Sequence, residues 1–459
     1  MASLVEMLFT LRRKNMRLYN SKTLKVEEFI PIKENEVSMY VCGPTVYNHI
    51  HIGNARPIVV FDTLRRVFEA SNYKVNFVSN FTDVDDRIIQ KAKEEGISET
   101  EIANRYMKAY NEVRHSLNTL ELSAAPQVTQ TMEEIIKAIQ DMVDRGYAYE
   151  ADGDVYFSVQ KVKEYGELSH QNIADLQVGA RVDENDKKEN PLDFALWKKT
   201  DEGIQWDSPW GKGRPGWHTE CVVMIDNEFK HQKIDIHGGG KDLKFPHHEN
   251  EVAQCFALHD HDLANYWLHN GMLNFDGEKM SKSIGNVVWA KDVIEMLGSN
   301  VVRWFLLSVR YRDTLNYNEQ TLETAKTELS KIQTSLRQAQ LKVVFNNLST
   351  NNDVNADMFT RFLEAMSDDM NTPNAYAEIF ETNKQLNQEV RKNPLDEARL
   401  SMLINTLEKM LDILGIKFEE VVVSEEDKEN YRLWNEAKVN KDFETADAYR
   451  AKLIEKELI

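Results

Sequence analysis

The residue types best suited to hold a metal fall in a short, histidine-rich stretch. FPHHENE sets His247 and Glu251 four positions apart, on one face of the helix expected to open after Pro246. Such a pair can share an ion. Zinc accepts cysteine sulfur, histidine nitrogen and carboxylate oxygen, so Cys42 and Cys221 complete a donor set if folding brings them there. The sequence spacing matches no compact zinc finger. Cys255, four residues beyond Glu251 on the same face, is a competing ligand. A single ion does not readily bridge His247 and Cys255, about 12 Å apart at ~1.5 Å per residue. Within VAQCFAL, Cys255 reads more simply as a small core residue, and His248 as a hydrogen-bonded neighbour of the cluster.

Three further segments suit a nucleotide. His51-Ile52-Gly53-Asn54 lies between a strand pattern and a helix pattern, where free backbone N–H groups and the helix dipole favour phosphate. Gly53 permits close approach of a purine, and His49 and His51 can donate to phosphate oxygens; an ordinary helix-start loop is the plain alternative. Lys279-Met280-Ser281-Lys282-Ser283, bounded by Gly277 and Gly285, suits a mobile loop whose two lysines neutralise a triphosphate as it is split. Alone it also reads as a solvated basic turn. Gly238-Gly239-Gly240 follows the strand pattern KIDIH and precedes Asp242, so Gly239 and Gly240 let the backbone pass a ligand while Asp242 meets ribose hydroxyls. The alternative is a tight turn needing positive φ. GRPGWHTEC reads as an exposed pocket-lining loop carrying Trp217, and SNFTDVDDR offers Thr82 to an amino group, with Asp83, Asp85 and Asp86 as caps.

These residues need a scaffold. VSMYVC and YKVNFVS read as buried strands, and PIVVFDTLRRVFEA and DRIIQKAKEEG as the helices that follow them. The alternation implies an α/β, doubly wound parallel sheet with its ligands at the carboxyl ends of the strands. Residues from about 126 to 205 change to helix, hairpin and a charged stretch, as an insertion would. Beyond about 316 the pattern is helical, a bundle with its charges in water. Three widely separated cysteines exclude a secreted disulfide framework. No apolar run approaches the ~20 residues of a membrane span, and the first fifteen residues lack the order of a signal peptide. A cytoplasmic protein is expected. A net charge of −19 excludes a generally basic nucleic-acid coat, although a local basic track on an acidic enzyme remains compatible with RNA.

Taken in order, MYVCGPTVYNHIHIGNARP, NFTDVDD, NPLDFALWK, SPWGKGRPGWHTEC, DIHGGGKDLKFPHHENE and NGMLNFDGEKMSKSIGNV resemble the cysteinyl-tRNA synthetase family of class I aminoacyl-tRNA synthetases. The likeness runs from about Met16 past residue 440. It implies a Rossmann-like catalytic domain in two halves, 16–125 and 206–315, separated by an inserted subdomain, 126–205. A helical tRNA-binding domain, 316–415, would follow. Residues 1–15 are an extension without an assigned role. Residues 416–459 are expected to be a short, truncated C-terminal region with altered anticodon contacts, because the family commonly continues past a segment like ADAYRAKLIEKG. The resemblance implies that Cys42, Cys221, His247 and Glu251 hold one zinc ion, to which the substrate thiolate adds as a further ligand. It implies contacts to ATP from His49, His51, Gly53, Asn54, Gly239 and Gly240, and to its triphosphate from Lys282 with Lys279. Trp217, Thr82 and Asp242 would contact the substrate. The implied partners are cysteine, ATP with Mg2+ and tRNA(Cys), with no membrane, for a monomeric ligase. Two rivals carry the same motifs. One is a cysteine ligase with an amino-sugar acceptor, which the long helical tail disfavours; the other is a zinc-stabilised RNA-binding protein without activity, which His51, Lys279 and Lys282 together disfavour.

Overall fold

The computed structural model describes residues 16–171, 187–279 and 287–459. Lys282 lies outside them, and Lys279 is described by its backbone alone. Strands β1 (Arg17–Asn20) and β2 (Lys25–Glu28) form an antiparallel pair. β3 (Glu36–Val41), α1 (Ile52–Ala70) and β4 (Lys74–Ser79) form the first parallel crossover unit, followed by α2 (Asp86–Glu95) and α3 (Glu99–Ser116). α4 (Met132–Asp144) then leads into an antiparallel sheet of β5 (Ala148–Ala151), β6 (Asp154–Phe157), β7 (Phe194–Lys199) and β8 (Gly213–Pro215). The chain returns through α5 (Trp217–Phe229), β9 (Ile234–Gly240), α6 (Glu249–His259) and β10 (Ala264–Asn270). β11 (Leu273–Phe275), β12 (Glu278–Lys279), α7 (Ala290–Leu297), α8 (Ser299–Leu306) and β13 (Leu315–Tyr317) follow.

The central sheet has the order β10-β9-β3-β4, all parallel. From β3 the chain winds outward to β4 through α1; from β9 it winds the other way to β10 through α6. The order therefore reverses between β3 and β9, and a crevice must open where both strands end. The sequence places its richest chemistry there. Cys42 and the HIGN segment follow β3, and Asp242 and His247 follow β9. Alternation of strand and helix is why this part was legible: Met39, Tyr40, Ile234 and Ile236 are buried on the sheet, and Val60, Phe61, Leu64 and Phe68 carry the buried face of α1.

One alternative and one local expectation fall away. Gly238, Gly239 and Gly240 are not the tight turn of the alternative reading; they end β9, paired with Leu268, His269 and Asn270, and none has a positive φ. Glycine is required for another reason. A Cβ at Gly238 would stand 2.4 Å from the Phe61 ring, and one at Gly239 2.9 Å from Leu243 Cδ1. The strand and the helix layer approach too closely for any side chain. GRPGWHTEC is likewise not a loop, since Gly213–Pro215 closes the antiparallel sheet and Trp217 begins α5. Gly216 separates them because a Cβ there would meet the Ala195 carbonyl at 1.8 Å.

A second compact unit takes in residues 300–308, 318–366 and 371–459. It holds α9 (Glu319–Phe345), α10 (Ala356–Ser367), α11 (Thr372–Val390), α12 (Glu397–Ile413), α13 (Glu425–Val439) and α14 (Phe443–Glu455). Asn318 starts α9 with a reciprocal cap to Thr321, which satisfies two otherwise orphaned backbone donors. Ile332, Leu336, Phe362, Ile379, Leu403 and Leu407 fill the bundle core. Within this unit Trp304 stacks on Tyr376 at 3.7 Å between ring centroids. Among the described residues no helix is long and apolar enough to cross a membrane.

Candidate metal centre and nucleotide cavity

Cys42 leaves the end of β3, Cys221 sits one turn into α5, His247 lies in the wide turn before α6, and Glu251 lies in the first turn of α6. Their ligand atoms all fall within 4.8 Å of one another. The two Sγ atoms are 3.7 Å apart. Cys42 Sγ is 3.6 Å from Glu251 Oε1, and Cys221 Sγ is 3.6 Å from His247 Nε2. Tetrahedral zinc, with Zn–S of about 2.3 Å and Zn–N or Zn–O of about 2.0–2.1 Å, has edges of roughly 3.8 Å between sulfurs and 3.5 Å from sulfur to N or O. Three of the observed edges match. The fourth, His247 Nε2 to Glu251 Oε1 at 2.9 Å, is a hydrogen bond that a cation would replace. The residues fit the ion.

Electrostatics agree with that geometry. Burial opposes ionisation of Glu251, but His247 and His237 outweigh it and hold the carboxyl well below the usual carboxylate range. The hydrogen bond from Cys42 lowers the Cys221 thiol to about 6 against the effect of burial. His247 is raised to about 10, burial being overcome by Glu251 and Cys221. Burial, then the contact with Cys221, pushes the Cys42 thiol well up, so Glu251 and Cys221 carry the buried negative charge and the His247 imidazolium offsets only part of it; a bound cation would take the place of that proton. A second set, Cys42, His237, His248 and Glu251, also converges, with His248 Nε2 3.4 Å from Cys42 Sγ. It offers one thiol instead of two, and His237 Nε2 already lies 2.6 Å from Glu251 Oε2 as an orienting hydrogen bond.

His218 and His269, which no sequence motif singles out, orient the ligand His247 and the expected neighbour His248 respectively. His218 Nδ1 lies 3.1 Å from His247 Nδ1. Burial, then His247, bring the His218 imidazole down to about 3, so it is neutral and accepts the Nδ1–H that leaves Nε2 of His247 facing the sulfurs. His248 Nδ1 is 2.8 Å from His269 Nε2, whose other nitrogen is 2.8 Å from Ser21 Oγ. A row of histidines in one short stretch was the available signal. Cys255 belongs to neither set and is fully buried in the core.

Beside the cluster lies a cavity of about 450 Å3. Cys42, His49, His51, Gly53 and Asn54 line it together with Trp217, Gly240 and Asp242. His51 caps α1, its Nδ1 accepting from Asn54 N at 3.3 Å. Pro57, in the next turn, withdraws the donor that would otherwise reach the Gly53 carbonyl. Trp217 is about one-third exposed and stacks on the His247 ring at 4.3 Å, joining the cavity to the metal cluster. Thr82 does not line the cavity; it is buried and its hydroxyl donates to Glu220 Oε2 at 3.0 Å. Of the expected caps, Asp85 does cap α2, whereas Asp83 holds Thr129 and Asp86 pairs with Lys198 and Arg214. The chain that follows the KMSKS segment pairs directly with the HIGN segment, Ile52 N donating to Val288 O at 2.9 Å and Ala290 N to Ile50 O at 3.0 Å. The described residues just after that segment thus lie against the HIGN turn.

Residues 28–327 match the model of the class I (C) tRNA synthetase catalytic domain, and residues 361–419 that of the DALR domain. The chain is 47% identical over 452 residues to the cysteine–tRNA ligase of Geobacillus thermodenitrificans, covering 97% of each. It belongs to the cysteinyl-tRNA synthetase family. The cysteine–tRNA ligase of Anoxybacillus flavithermus is 44% identical, again across 97% of both chains. Solved class I relatives share the fold at much lower identity. Mycobacterium tuberculosis methionyl-tRNA synthetase, in complex with methionyl-adenylate, superposes with a TM-score of 0.60 at 18% identity over 83% of this chain and 89% of its own. Agrobacterium radiobacter agnB2 LeuRS gives 0.62 at 11% over 84% of each.

Within a cysteinyl-tRNA synthetase site the Trp217–His247 stack makes a prediction. Trp217→Ala should raise the KM for cysteine in pyrophosphate exchange roughly tenfold, the stack contributing about 0.5–1.5 kcal/mol beyond its buried area. Trp217→Phe should recover most of it. An unchanged KM in the alanine variant would remove Trp217 from the pocket wall.

Proposed function

We propose the following division of labour for the reaction of this family, ATP-dependent activation of cysteine followed by transfer to tRNA(Cys). Cys42, Cys221, His247 and Glu251 would hold zinc, which when bound would supply a borderline-soft Lewis acid that favours a thiolate over the hydroxyl of the near-isosteric serine. Trp217 closes the pocket around the side chain. Asp242 contacts the substrate, and Thr82 acts through Glu220. His49, His51 and Asn54, with the backbone at Gly53, Gly239 and Gly240, hold ATP. Lys282, with Lys279, meets the triphosphate. The cysteine carboxylate attacks the α-phosphorus, the bond to the β-phosphate bridging oxygen breaks, and pyrophosphate leaves as the magnesium salt. The terminal ribose hydroxyl of the tRNA then attacks the carbonyl carbon of cysteinyl-adenylate, and AMP departs. No protein nucleophile is required, so positioning and charge neutralisation carry the rate.

The observation that carries this reading is the convergence of two thiols, an imidazole and a carboxylate beside a cavity lined by the HIGN residues, where β3 and β9 end. In domain terms, residues 16–125 and 206–315 form the catalytic halves, 126–205 the insertion and 316–415 the tRNA-binding bundle, with 416–459 as the C-terminal region. The enzyme works as a monomer in the cytoplasm. Pyrophosphate exchange tests the whole: ATP should be labelled with cysteine present and not with serine. Equal labelling by both would reject the zinc–thiolate reading. Lys282→Ala should lower the exchange rate on the order of 10²–10³-fold, the usual cost of one transition-state charge contact. Its zinc content should stay unchanged. A fall in metal, or a normal rate, would count against a role confined to the triphosphate.

A further inference from the structure

The two helices that carry Cys221 and Glu251 meet again at their far ends. α5 continues from Cys221 to Asp226, about 7.5 Å further along its axis, and α6 from Glu251 to His259, about 12 Å further. The helices pack against each other. At those ends Asp226 Oδ2 lies 2.6 Å from His259 Nε2 and 3.5 Å from His231 Nδ1. We propose that Asp226, His231 and His259 form a second binding site for a zinc-class divalent cation, separate from the cysteine-bearing cluster, that ties the C-terminal ends of α5 and α6 together.

An Asp–His ion pair explains only half of the arrangement. One imidazole already satisfies the Asp226 oxygen, yet a second ring nitrogen is aimed at the same atom. At 3.5 Å it is at the limit of a hydrogen bond, but close to the edge of roughly 3.3 Å between N and O ligands of one zinc ion. All three ligand atoms lie within 4.8 Å of one another. The carboxylate is almost wholly buried, with 8% side-chain exposure, and His259 largely so, so their placement is set by packing and not by surface drift. His231 reaches the site because α5 ends in two successive left-handed residues, Lys230 at φ 58° and His231 at φ 57°. That reversal directs His231 N onto the Asp226 carbonyl at 2.8 Å and returns its ring toward the carboxylate. Non-glycine residues seldom adopt that region twice in a row.

The surrounding field also favours a cation. Both helices present their C-terminal carbonyls here, and the partial negative charge at two helix ends adds to the carboxylate. The neighbouring Arg145 is already engaged with Asp141 and Asp260. Two imidazoles and one carboxylate suit zinc, nickel or copper, and not magnesium or calcium, which prefer an all-oxygen shell. With three protein ligands and an exposed His231, the remaining positions belong to water. That makes the site weaker than the buried cluster and filled by exchange with the medium.

The test uses the full chain with its first cluster loaded. Dialysis to equilibrium against buffered zinc, followed by metal analysis, should give two zinc ions per chain for the native protein and one for His231→Ala. Asp226→Asn should match His231→Ala. Affinity for the second ion should fall about 100-fold or more in each. Nickel should replace the second zinc, and the native protein should gain thermal stability with the second ion while His231→Ala does not. Because His231 is exposed, its loss should leave cysteine-dependent pyrophosphate exchange at the native rate, which shows that the fold and first cluster persist. Saturation of the native protein at one zinc, or a second zinc retained by His231→Ala, would overturn the proposal.

Discussion

Cys221→Ser should lose both its zinc and its ability to tell cysteine from serine. The thiol lies 3.7 Å from Cys42 Sγ and 3.6 Å from His247 Nε2, and it is the most acidic of the thiols with a resolved shift, brought to about 6 chiefly by the hydrogen bond from Cys42. Serine keeps the shape and removes the soft anionic donor, so the affinity for zinc falls at the first step. Without the ion, the pocket must choose between two side chains of nearly equal size. Packing alone rejects such an isostere by only about 10²-fold, whereas a site built around one specific ligand contact reaches about 10⁴–10⁵. Selectivity should drop by that difference, and cysteine-dependent exchange by on the order of 10³-fold. Metal analysis and exchange with each amino acid read the two effects separately. Cys255→Ser is the control: a buried core residue outside both donor sets should retain the zinc. A Cys221→Ser protein with the full zinc content of the native chain and native selectivity would end the assignment.

The contrast between those cysteines shows what sequence could and could not settle. His247 and Glu251 were readable as a pair because four residues of helix put them on one face, and the geometry places their nitrogen and oxygen 2.9 Å apart. The sulfurs were not readable from spacing, because Cys42 and Cys221 arrive from opposite sides of a long insertion. Only the parallel pairing of β3 with β9 brings them together, and register between distant strands has no local signature. Family motifs supplied what periodicity lacked. The glycines differ: the alternative of a tight turn falls away, because close packing of Phe61 over β9 explains Gly238 without any positive φ. His218, His237 and His269 went unnoticed because a buried neutral histidine that orients another carries no pattern of its own.

Arg56 makes the same point about the nucleotide side, and its replacement should give the second large effect. It sits on α1, two residues beyond the HIGN segment, and is fully buried. Nη1 donates to the carbonyls of Gly271, Met272 and Asp313 at 2.8, 3.1 and 2.7 Å, and Nη2 to Arg310 at 3.3 Å. Burial lowers the guanidinium only to about 10, so it stays charged at neutral pH. A sequence shows such a residue as one more arginine on a helix. In the fold it ties the HIGN helix to Gly271 and Met272, which line the cavity from the end of β10. Arg56→Met keeps the apolar stem but takes the charged donor from four carbonyls, three of which keep a second partner in Asn270 Nδ2, Leu315 N and Asp313 N; the loss should cost about 1.5–3 kcal/mol, a substantial share of the roughly 5–15 that holds a domain together. Arg56→Lys retains the charge but replaces the planar fork with a single nitrogen, and should recover only part. Denaturant titration should show the catalytic unit unfolding earlier in the order native, lysine, methionine. A purely structural role would stop there. A tie between the two walls of the cavity should also raise the KM for ATP in the lysine variant, since a displacement of about 1 Å costs up to 10²-fold. The KM for cysteine should stay near native, because the thiol site is held by the end of β3, by α5 and by the turn into α6, and the Arg56 guanidinium bonds to none of these. If Arg56→Lys loses stability while both constants hold, Arg56 supports the fold without positioning the nucleotide.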